Sequence, residues 1–420
     1  MTSQNIQNSS PRHDPYAVLR FRDFRLLLAG RFITSFGGEM LTFAIAWELW
    51  LRTQSAFALG MVGLVQVLPV ILLALPAGHF ADQHNRRRII LVTQSVFALS
   101  SLGLAYLSWI EGPLPLIYAC LLVIGISRAF NDPAASTLIP ETVPNELFAN
   151  AATWSSSAWQ TAAITGPMAA GLWAGFFDNV TGIYIFDALG ILTFVILLSL
   201  IHGRQLPLAR KAATLDSLKE GLRFMRDTKV ILAAITLDMF AVLFGGAVAL
   251  LPIYATDILH VGAEGLGIMR AASSMGALLM AFALAHLPPF KQAGRTLLIA
   301  VAGFGIATIV FGLSKTFWLS VLMLGLLGAL DNISVVIRST LMLTRVPDVM
   351  RGRVSAVNSI FIGMSNELGA FESGFLASLL GPILTVAGGG VGTIIVVLVV
   401  AAAWPEMRNL KSLASAGENV

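Results

Sequence analysis

From residue 25 to residue 403 the chain is a succession of apolar runs separated by short loops. A helix needs about 20 mostly apolar residues to cross the hydrocarbon core of a bilayer. Inside that core every backbone amide must find its partner within the chain, which leaves helices or a closed barrel. Long runs without strict alternation read as helices. They fall at 25–51, 56–79, 89–110, 114–139, 147–176, 180–201, 230–256, 263–287, 295–314, 317–344, 353–381 and 384–403. The expected fold is an all-α membrane protein with twelve transmembrane helices. Composition agrees: 56% of residues are apolar and 12% charged, with mean hydropathy +0.79, whereas soluble chains carry about 25% charged residues.

The loops carry the orientation. Basic residues gather at Arg20–Arg25, Arg86–Arg88, Arg204–Lys229, Lys291–Arg295, Arg345–Arg353 and Arg408–Lys411 on one side, against Arg52 and Lys315 on the other. By the positive-inside rule the first side is cytosolic, and an even number of spans puts both termini there. Basic residues confined to short loops, rather than spread along one face, argue against nucleic acid as a partner despite a pI near 9.4. Cys120 is alone, which excludes an internal disulfide and a thiolate metal cluster. Residues 1–15 are polar and read as no signal peptide, so the first span is expected to direct insertion. Trp50, Trp109 and Trp318 fall near span ends, as an interfacial belt would place them.

The chain is also duplicated. Ser136-Thr137-Leu138 recurs as Ser339-Thr340-Leu341 and Val143-Pro144 as Val346-Pro347, while Gly125, Gly166 and Gly171 recur as Gly328, Gly369 and Gly374, all at an offset of 203 residues. This register implies two parallel six-helix pseudo-symmetric bundles with a site between them. The domain boundaries follow: a cytosolic tail at 1–24, a first bundle at 25–201, a cytosolic linker at 202–229, a second bundle at 230–403 and a tail at 404–420. In the linker, Leu215, Leu218, Leu222 and Met225 stand at helical spacing with Lys219, Arg223 and Arg226 between them. This amphipathic helix lies either on the inner leaflet or against the underside of the bundle.

Several motifs carry a family likeness. The segment Gly78-His-Phe-Ala-Asp82-Gln-His-Asn-Arg86-Arg87-Arg88 resembles the loop between the second and third spans of major facilitator transporters, with Gln83 and Asn85 departing from the usual basic residue and glycine. Arg22-Asp23-Phe24-Arg25, Gly37-Gly38-Glu39, Arg128 to Ala134 and Leu138 to Pro144 resemble the branch that includes the enterobactin exporter and macrolide efflux proteins. The likeness covers nearly the whole chain. It implies a secondary active transporter in a bacterial inner membrane, exporting an amphiphilic small molecule, siderophore or drug-like, by proton antiport with alternating access. Uptake or lipid flipping by the same fold is the alternative. Gly166-Pro167-Met168-Ala169-Ala170-Gly171 resembles the Gly-Pro motif of exporters; physically it is equally a site of close helix packing.

Charges inside spans are expensive unless paired or wet, and mark candidate sites. At about 1.5 Å per residue, Glu39 lies near the midplane of the first span and Glu367 at similar depth in the eleventh. Arg128 and Asp331 are repeat mates near mid-depth, so opposite charges are expected to face one cavity from symmetry-related places. Asp238 lies about a third of the way along the seventh span. With Arg31, these form the expected proton and substrate cavity. Glu48, Asp132 and Arg338 fall nearer the interfaces, where snorkelling or capping suffices; Arg270 and Glu372 are open to either reading. A carboxylate in a low-dielectric cavity holds its proton more readily than one in water. Glu39 is the first choice for coupling, with Glu367 and Asp238 behind; a permanent ion pair with Arg128 or Arg31 is the competing account. A few of Phe36, Phe43, Trp47, Trp154, Trp159, Phe240, Phe244 and Phe361 are expected to line the pocket.

No HExxH, GxSxG, Cys–His cluster or Walker loop occurs. Hence no enzyme, pump, cofactor or metal is expected; the partners are a small-molecule substrate, protons and the lipid bilayer, and the chain is expected to act as a monomer. Gly78, Asp82, Arg86, Arg87, Arg88, Gly352 and Arg353 make up the expected cytosolic gate. Asp82 would reach the N-terminal end of the eleventh span near Gly352 and Arg353, where the helix dipole favours an anion, while Arg86 pairs with Asp132 or Glu141. Asp82→Asn is then expected to slow transport about two- to fivefold, the worth of such a dipole contact, with little change in ligand affinity for a fixed conformation. A large shift in substrate selectivity in a competition assay would refute the latch.

Overall fold

The computed structural model describes residues 14–135, 138–202, 215–288 and 290–411, and these residues contain no strand. The long helices are α1 (Arg22–Thr53), α2 (Ala56–Gln83), α3 (Arg86–Trp109), α4 (Leu114–Ala135), α5 (Phe148–Phe177), α6 (Thr181–Ser199), α7 (Lys229–Ile258), α8 (Gly262–His286), α9 (Ala293–Leu313), α10 (Phe317–Arg345), α11 (Asp348–Leu380) and α12 (Pro382–Ala403). Among the described residues nine helices are long and apolar enough to cross a membrane. The long helices outside that set are α1, α5 and α11. They carry the polar load, with Arg31, Glu39 and Glu48 on α1, a Ser/Thr-rich first half on α5, and Glu367 and Glu372 on α11.

Local chemistry sets the helix ends. Gln54 turns the chain after α1 in the left-handed region at φ 48°, and the Ser55 hydroxyl accepts from the Ala58 amide to start α2. The α2–α3 connection is tighter than the sequence suggests: Gly78 to Gln83 form the last turns of α2. Asn85 does not replace a left-handed glycine. It sits at φ −63° and its side chain accepts the Arg88 amide at 3.1 Å, so it is the N-cap of α3. Helix α11 likewise begins earlier than expected, at Asp348, which pairs with Arg351 at 2.8 Å; Gly352 and Arg353 are therefore inside its first turns.

The first six helices pack as α1·α5, α1·α6, α2·α4, α3·α4 and α3·α6. The last six repeat this order as α7·α11, α7·α12, α8·α10, α9·α10 and α9·α12. The sequence repeat thus has a counterpart in packing. Two further pairings, α2·α11 and α5·α8, join the sets and are themselves related by the same shift. Repeat mates Gly171 and Gly374 make them possible. A Cβ on Gly171 would stand 2.6 Å from the Ala263 carbonyl and 3.0 Å from Gly267 Cα, and one on Gly374 would stand 2.5 Å from Gly60 Cα. Trp50 donates to the Thr256 hydroxyl at 2.7 Å across the same seam, and Phe57 packs edge-on against Phe371 and Phe375. These contacts lie at the end of the molecule remote from the basic loops. Trp50 is therefore a buried seam residue, whereas Trp109 and Trp318 are exposed, as a belt requires.

The linker helix (Leu215–Asp227) rests on α11 rather than standing off it. Met225 is buried, Gly221 lies against the Arg353 carbonyl, and Glu220 forms an ion pair with the Arg353 guanidinium. The underside packing is the arrangement adopted.

Forcing a side chain into the Gly374–Gly60 contact costs about 1–3 kcal/mol in a packed core. Gly374→Leu is expected to shift the seam open roughly five- to a hundredfold. The check is the labelling rate of a cysteine at Val62 by an impermeant maleimide added on the face remote from the basic loops, in a Cys120→Ser background. An unchanged rate would show that the seam does not close that face.

Candidate functional site

Between the two helix sets lies a cavity of about 510 Å³. Its walls come from α1, α2, α4 and from α7 to α11. Glu39 enters from α1, Arg128 from α4, Arg270 from α8, Asp331 from α10 and Glu367 from α11. Arg128 reaches Glu367 across the seam at 3.6 Å. Arg270 and Arg128 are the cations within electrostatic reach of Glu39. The Arg270 Nε is buried and has no hydrogen-bond partner among the described residues.

Small residues bring these groups together. A Cβ on Gly166 would meet Glu39 Cβ at 2.7 Å and the Phe36 carbonyl at 3.1 Å, so the Gly166-Pro167 step lets α5 support the turn of α1 that carries Glu39. Gly63 allows α2 to approach the Glu367 carbonyl, at 2.5 Å from its own would-be Cβ. Helix α7 is discontinuous where it borders the cavity. The α-helix stops at Phe244, Gly246–Leu250 is 3-10, and Tyr254–Ile258 is a π-turn. Residues 242 and 245–249 line the cavity along this break. Non-α backbone at membrane depth is tolerated where it is buried or lines such a space.

Four of the expected cavity residues, Glu39, Arg128, Asp331 and Glu367, thus meet. Asp238 does not join them directly. It sits behind the wall, held by Arg338 at 2.5 Å, and shares a small side pocket with Asp331 and Ser334. Arg338 consequently does not snorkel; its side chain is 10% exposed. Arg31 is half-buried on α1 and outside the cavity lining. Of the aromatic candidates none lines it: Phe43 and Trp47 stack in the core, and Phe240 stacks on Phe244. The aromatic wall is Phe304 of α9.

Sequence reading passed over Asp187, an acid in the middle of the apolar run that forms α6. It is buried, accepts from Ser101 at 2.6 Å, and lies against Gly37 of α1. Glu48 is also deeper than expected: it binds Arg52 at 2.7 Å and accepts from the Tyr184 hydroxyl at 2.6 Å. Arg52 further donates to the carbonyls of Leu107, Ser108 and Gly112, closing the end of α3.

On the gate side, the Asp82 side chain lies outside the described residues. Arg87 caps α6 through the Leu198 and Ser199 carbonyls at 2.8 and 2.7 Å. Burial pushes the Glu141 carboxyl above its ordinary range, against the pull of Arg86 and then Arg87, so Glu141 is an acid that faces this arginine cluster. Arg353 is taken by Glu220 of the linker helix.

A cavity walled by two repeat-related helix sets, with charges from both, is the site of a solute carrier. The transmembrane secretion effector family model matches residues 13–419, and the chain belongs to this family of major facilitator transporters. It is a multi-pass membrane transporter and not an enzyme. The enterobactin exporter EntS of Citrobacter koseri is 25% identical over 391 residues, covering 92% of this chain and 93% of its own length. Its counterpart in Shigella dysenteriae is 24% identical over the same span. Among solved structures, an inward-facing bacterial homologue of the iron transporter ferroportin superposes with TM-score 0.70 at 17% identity, covering 93% of this chain and 99% of that one. A POT family transporter in complex with 5-aminolevulinic acid gives 0.73 at 13% identity, covering 92% and 97%.

In the Glu48–Arg52–Tyr184 cluster each carboxylate oxygen faces one partner, Oε1 the Arg52 guanidinium as an ion pair and Oε2 the Tyr184 hydroxyl, which marks it as support. Removing one partner of a buried pair costs about 3–5 kcal/mol, because the other charge is left uncompensated. Arg52→Met is expected to lower the unfolding midpoint in detergent clearly, and Glu48→Gln/Arg52→Met to recover most of the loss. Equal midpoints for the single and double variants would contradict the pairing.

Proposed function

We propose that this protein exports an amphiphilic small molecule, siderophore or drug-like, from the cytosol across the bacterial inner membrane in exchange for protons. In this reading the twelve long helices are twelve spans in two six-helix bundles, 25–201 and 230–403, joined by the cytosolic linker 202–229. Both termini are cytosolic, and a single chain is the working unit. The observation that carries the reading is the charged cavity on the seam between repeat-related helix sets. Glu39, Asp331 and Glu367 supply carboxylates there, Arg128 and Arg270 supply cations, and Asp238 and Arg338 stand behind them.

The packing supports alternating access. Seam contacts concentrate at the end remote from the basic loops, so with those loops cytosolic the cavity opens inward. Closing the other end requires the bundles to rock about the α2·α11 and α5·α8 contacts. The Gly-Pro step of α5 sits against Glu39, so motion of α5 is felt at the carboxylate. Arg87, Arg88 and Glu141, with the gate residues Gly78, Asp82 and Arg86, lie on the face that would close. Export as the direction is supported by the enterobactin exporters among the relatives.

The test is transport into inverted inner-membrane vesicles. An imposed gradient, acidic inside, is expected to drive accumulation of a fluorescent amphiphilic dye well above that in vesicles lacking the protein, and a protonophore is expected to abolish it. Dye movement indifferent to the gradient would eliminate antiport and favour lipid flipping or uncoupled uptake.

A further inference from the structure

The charges in and behind the cavity fall into two groups of different balance. Glu39 and Glu367 face Arg270 and Arg128, so within the cavity two carboxylates meet two guanidiniums; Asp132, one turn along α4 and also within reach of Arg128, is exposed and lies outside the cavity lining. The second group lies on α7 and α10. Asp238 is bound by Arg338 at 2.5 Å, with side chains 8% and 10% exposed, and Arg338 also donates to Ser334 at 3.2 Å. Asp331, Ser334 and Arg338 follow at spacings of three and four and so share one face of α10. Asp331 lies within electrostatic reach of both Asp238 and Arg338. It makes no hydrogen bond or ion pair of its own among the described residues, and it borders both the main cavity and the side pocket. Here two carboxylates share one guanidinium.

Neighbouring elements add no compensation. Helix α9 carries no charged residue between 296 and 313. On α8 the charge facing the cavity is Arg270 and on α11 it is Glu367, and both belong to the first group. With every group ionised, the α7–α10 cluster holds one uncompensated negative charge at membrane depth. Water of the open cavity can meet that charge at Asp331, but once the cavity closes it must be neutralised by a proton or by a counter-cation.

We propose that Asp331 is the exchange site of this transporter, taking either a proton or the cationic group of an amphiphilic organic cation, but not both at once. Asp238 is a positioning residue. By holding Arg338 it keeps that guanidinium from neutralising Asp331, which leaves Asp331 dependent on an exchangeable cation. The exchange balances simply. The O–H proton of Asp331 leaves to the solvent of the open side as the substrate's charge arrives, and a proton returns from the opposite side when the substrate departs. The inference rests on the antiport reading above and names its substrate class. It also moves the coupling role from Glu39, whose charge is matched by Arg270 and Arg128, to the carboxylate whose charge is not.

The experiment uses the full-length purified protein and tetraphenylphosphonium as the probe cation. In weakly buffered detergent solution, binding is expected to release about one proton per cation bound, with affinity falling about tenfold per pH unit on the acid side, as competition for a single carboxylate requires. Asp331→Asn is expected to weaken binding at least about tenfold and to remove both proton release and pH dependence. Asp238→Asn is expected to do the same while leaving Asp331 intact, because Arg338 then turns to it. Asp238→Asn/Arg338→Gln restores the lone negative charge and is expected to restore pH-linked binding, which separates charge balance from misfolding. Absence of cation binding by the native protein, pH-linked binding that survives Asp331→Asn, or no restoration in a folded double variant would each overturn the proposal. Gradient-driven export that persists in Asp331→Asn removes this assignment but leaves antiport standing. Proton-for-cation exchange without any gradient-driven transport does the reverse.

Discussion

Charge compensation inside a space with little water governs how this molecule is assembled. Each ionised group at membrane depth costs several kcal/mol unless another group or solvent meets it, and the structure answers that demand differently in different places. Glu48 is met by Arg52 and Tyr184, and Arg52 is met again by three carbonyls at the end of α3. Nothing there is left to exchange, so the cluster ties α1 to α3 and α6. Asp187 is met by one serine hydroxyl in a closed pocket behind Gly37. It serves as a polar pin among α1, α3 and α6. Around the cavity, charges reach across the seam or, like Asp331, stand without a partner among the described residues, and in the proposed cycle their compensation changes as the helix sets move.

Packing at the seam complements this electrostatic arrangement. Gly171 with Gly267 and Gly374 with Gly60 bring backbones together where any side chain would intrude. Backbone contacts of this kind tolerate rotation better than interdigitated side chains, because few rotamers must reset. Each pair has its repeat-related counterpart, so in the proposed cycle the two helix sets would rock on equivalent supports. The aromatic contacts of Phe57 with Phe371 and Phe375 add area on one side only.

Much of this was legible in the sequence for a simple reason: long apolar runs and a conserved register between halves are one-dimensional signals. Helix positions, the duplication, and the meeting of Arg128 with Asp331 in one cavity all follow from depth and repeat offset. Rotation about the helix axis is not encoded that way. Arg31 and Glu39 lie on the same span, yet only Glu39 faces the cavity, while Arg270, open to either reading, proves to be a wall residue. Arg338 looked like an interfacial cation by depth alone and instead finds Asp238 on a different helix. The break in α7 was hidden because Gly245-Gly246 is unremarkable in a glycine-rich membrane chain; its effect depends on Phe304 and Gly369 pressing from neighbouring helices. Asp187 was visible as an acid in an apolar run, and the sequence held the signal even though its closed pocket did not.

The two halves keep the same backbone plan and differ in charge at matching places, and this difference has a physical consequence. At the Arg128 position the first half presents a cation that Glu367 meets across the seam. At the equivalent position the second half presents Asp331, whose nearest cation is already engaged within its own half by Asp238. A symmetric pair of fully matched charges would cross-link the bundles equally in every conformation and resist rocking. An unmatched one makes the energy of the seam depend on what occupies the cavity. In the proposed cycle the symmetric backbone contacts supply the hinge and the asymmetric charges supply the condition for moving it: the bundle reorients when Asp331 is neutralised, by proton or by substrate, and is held back when it is not.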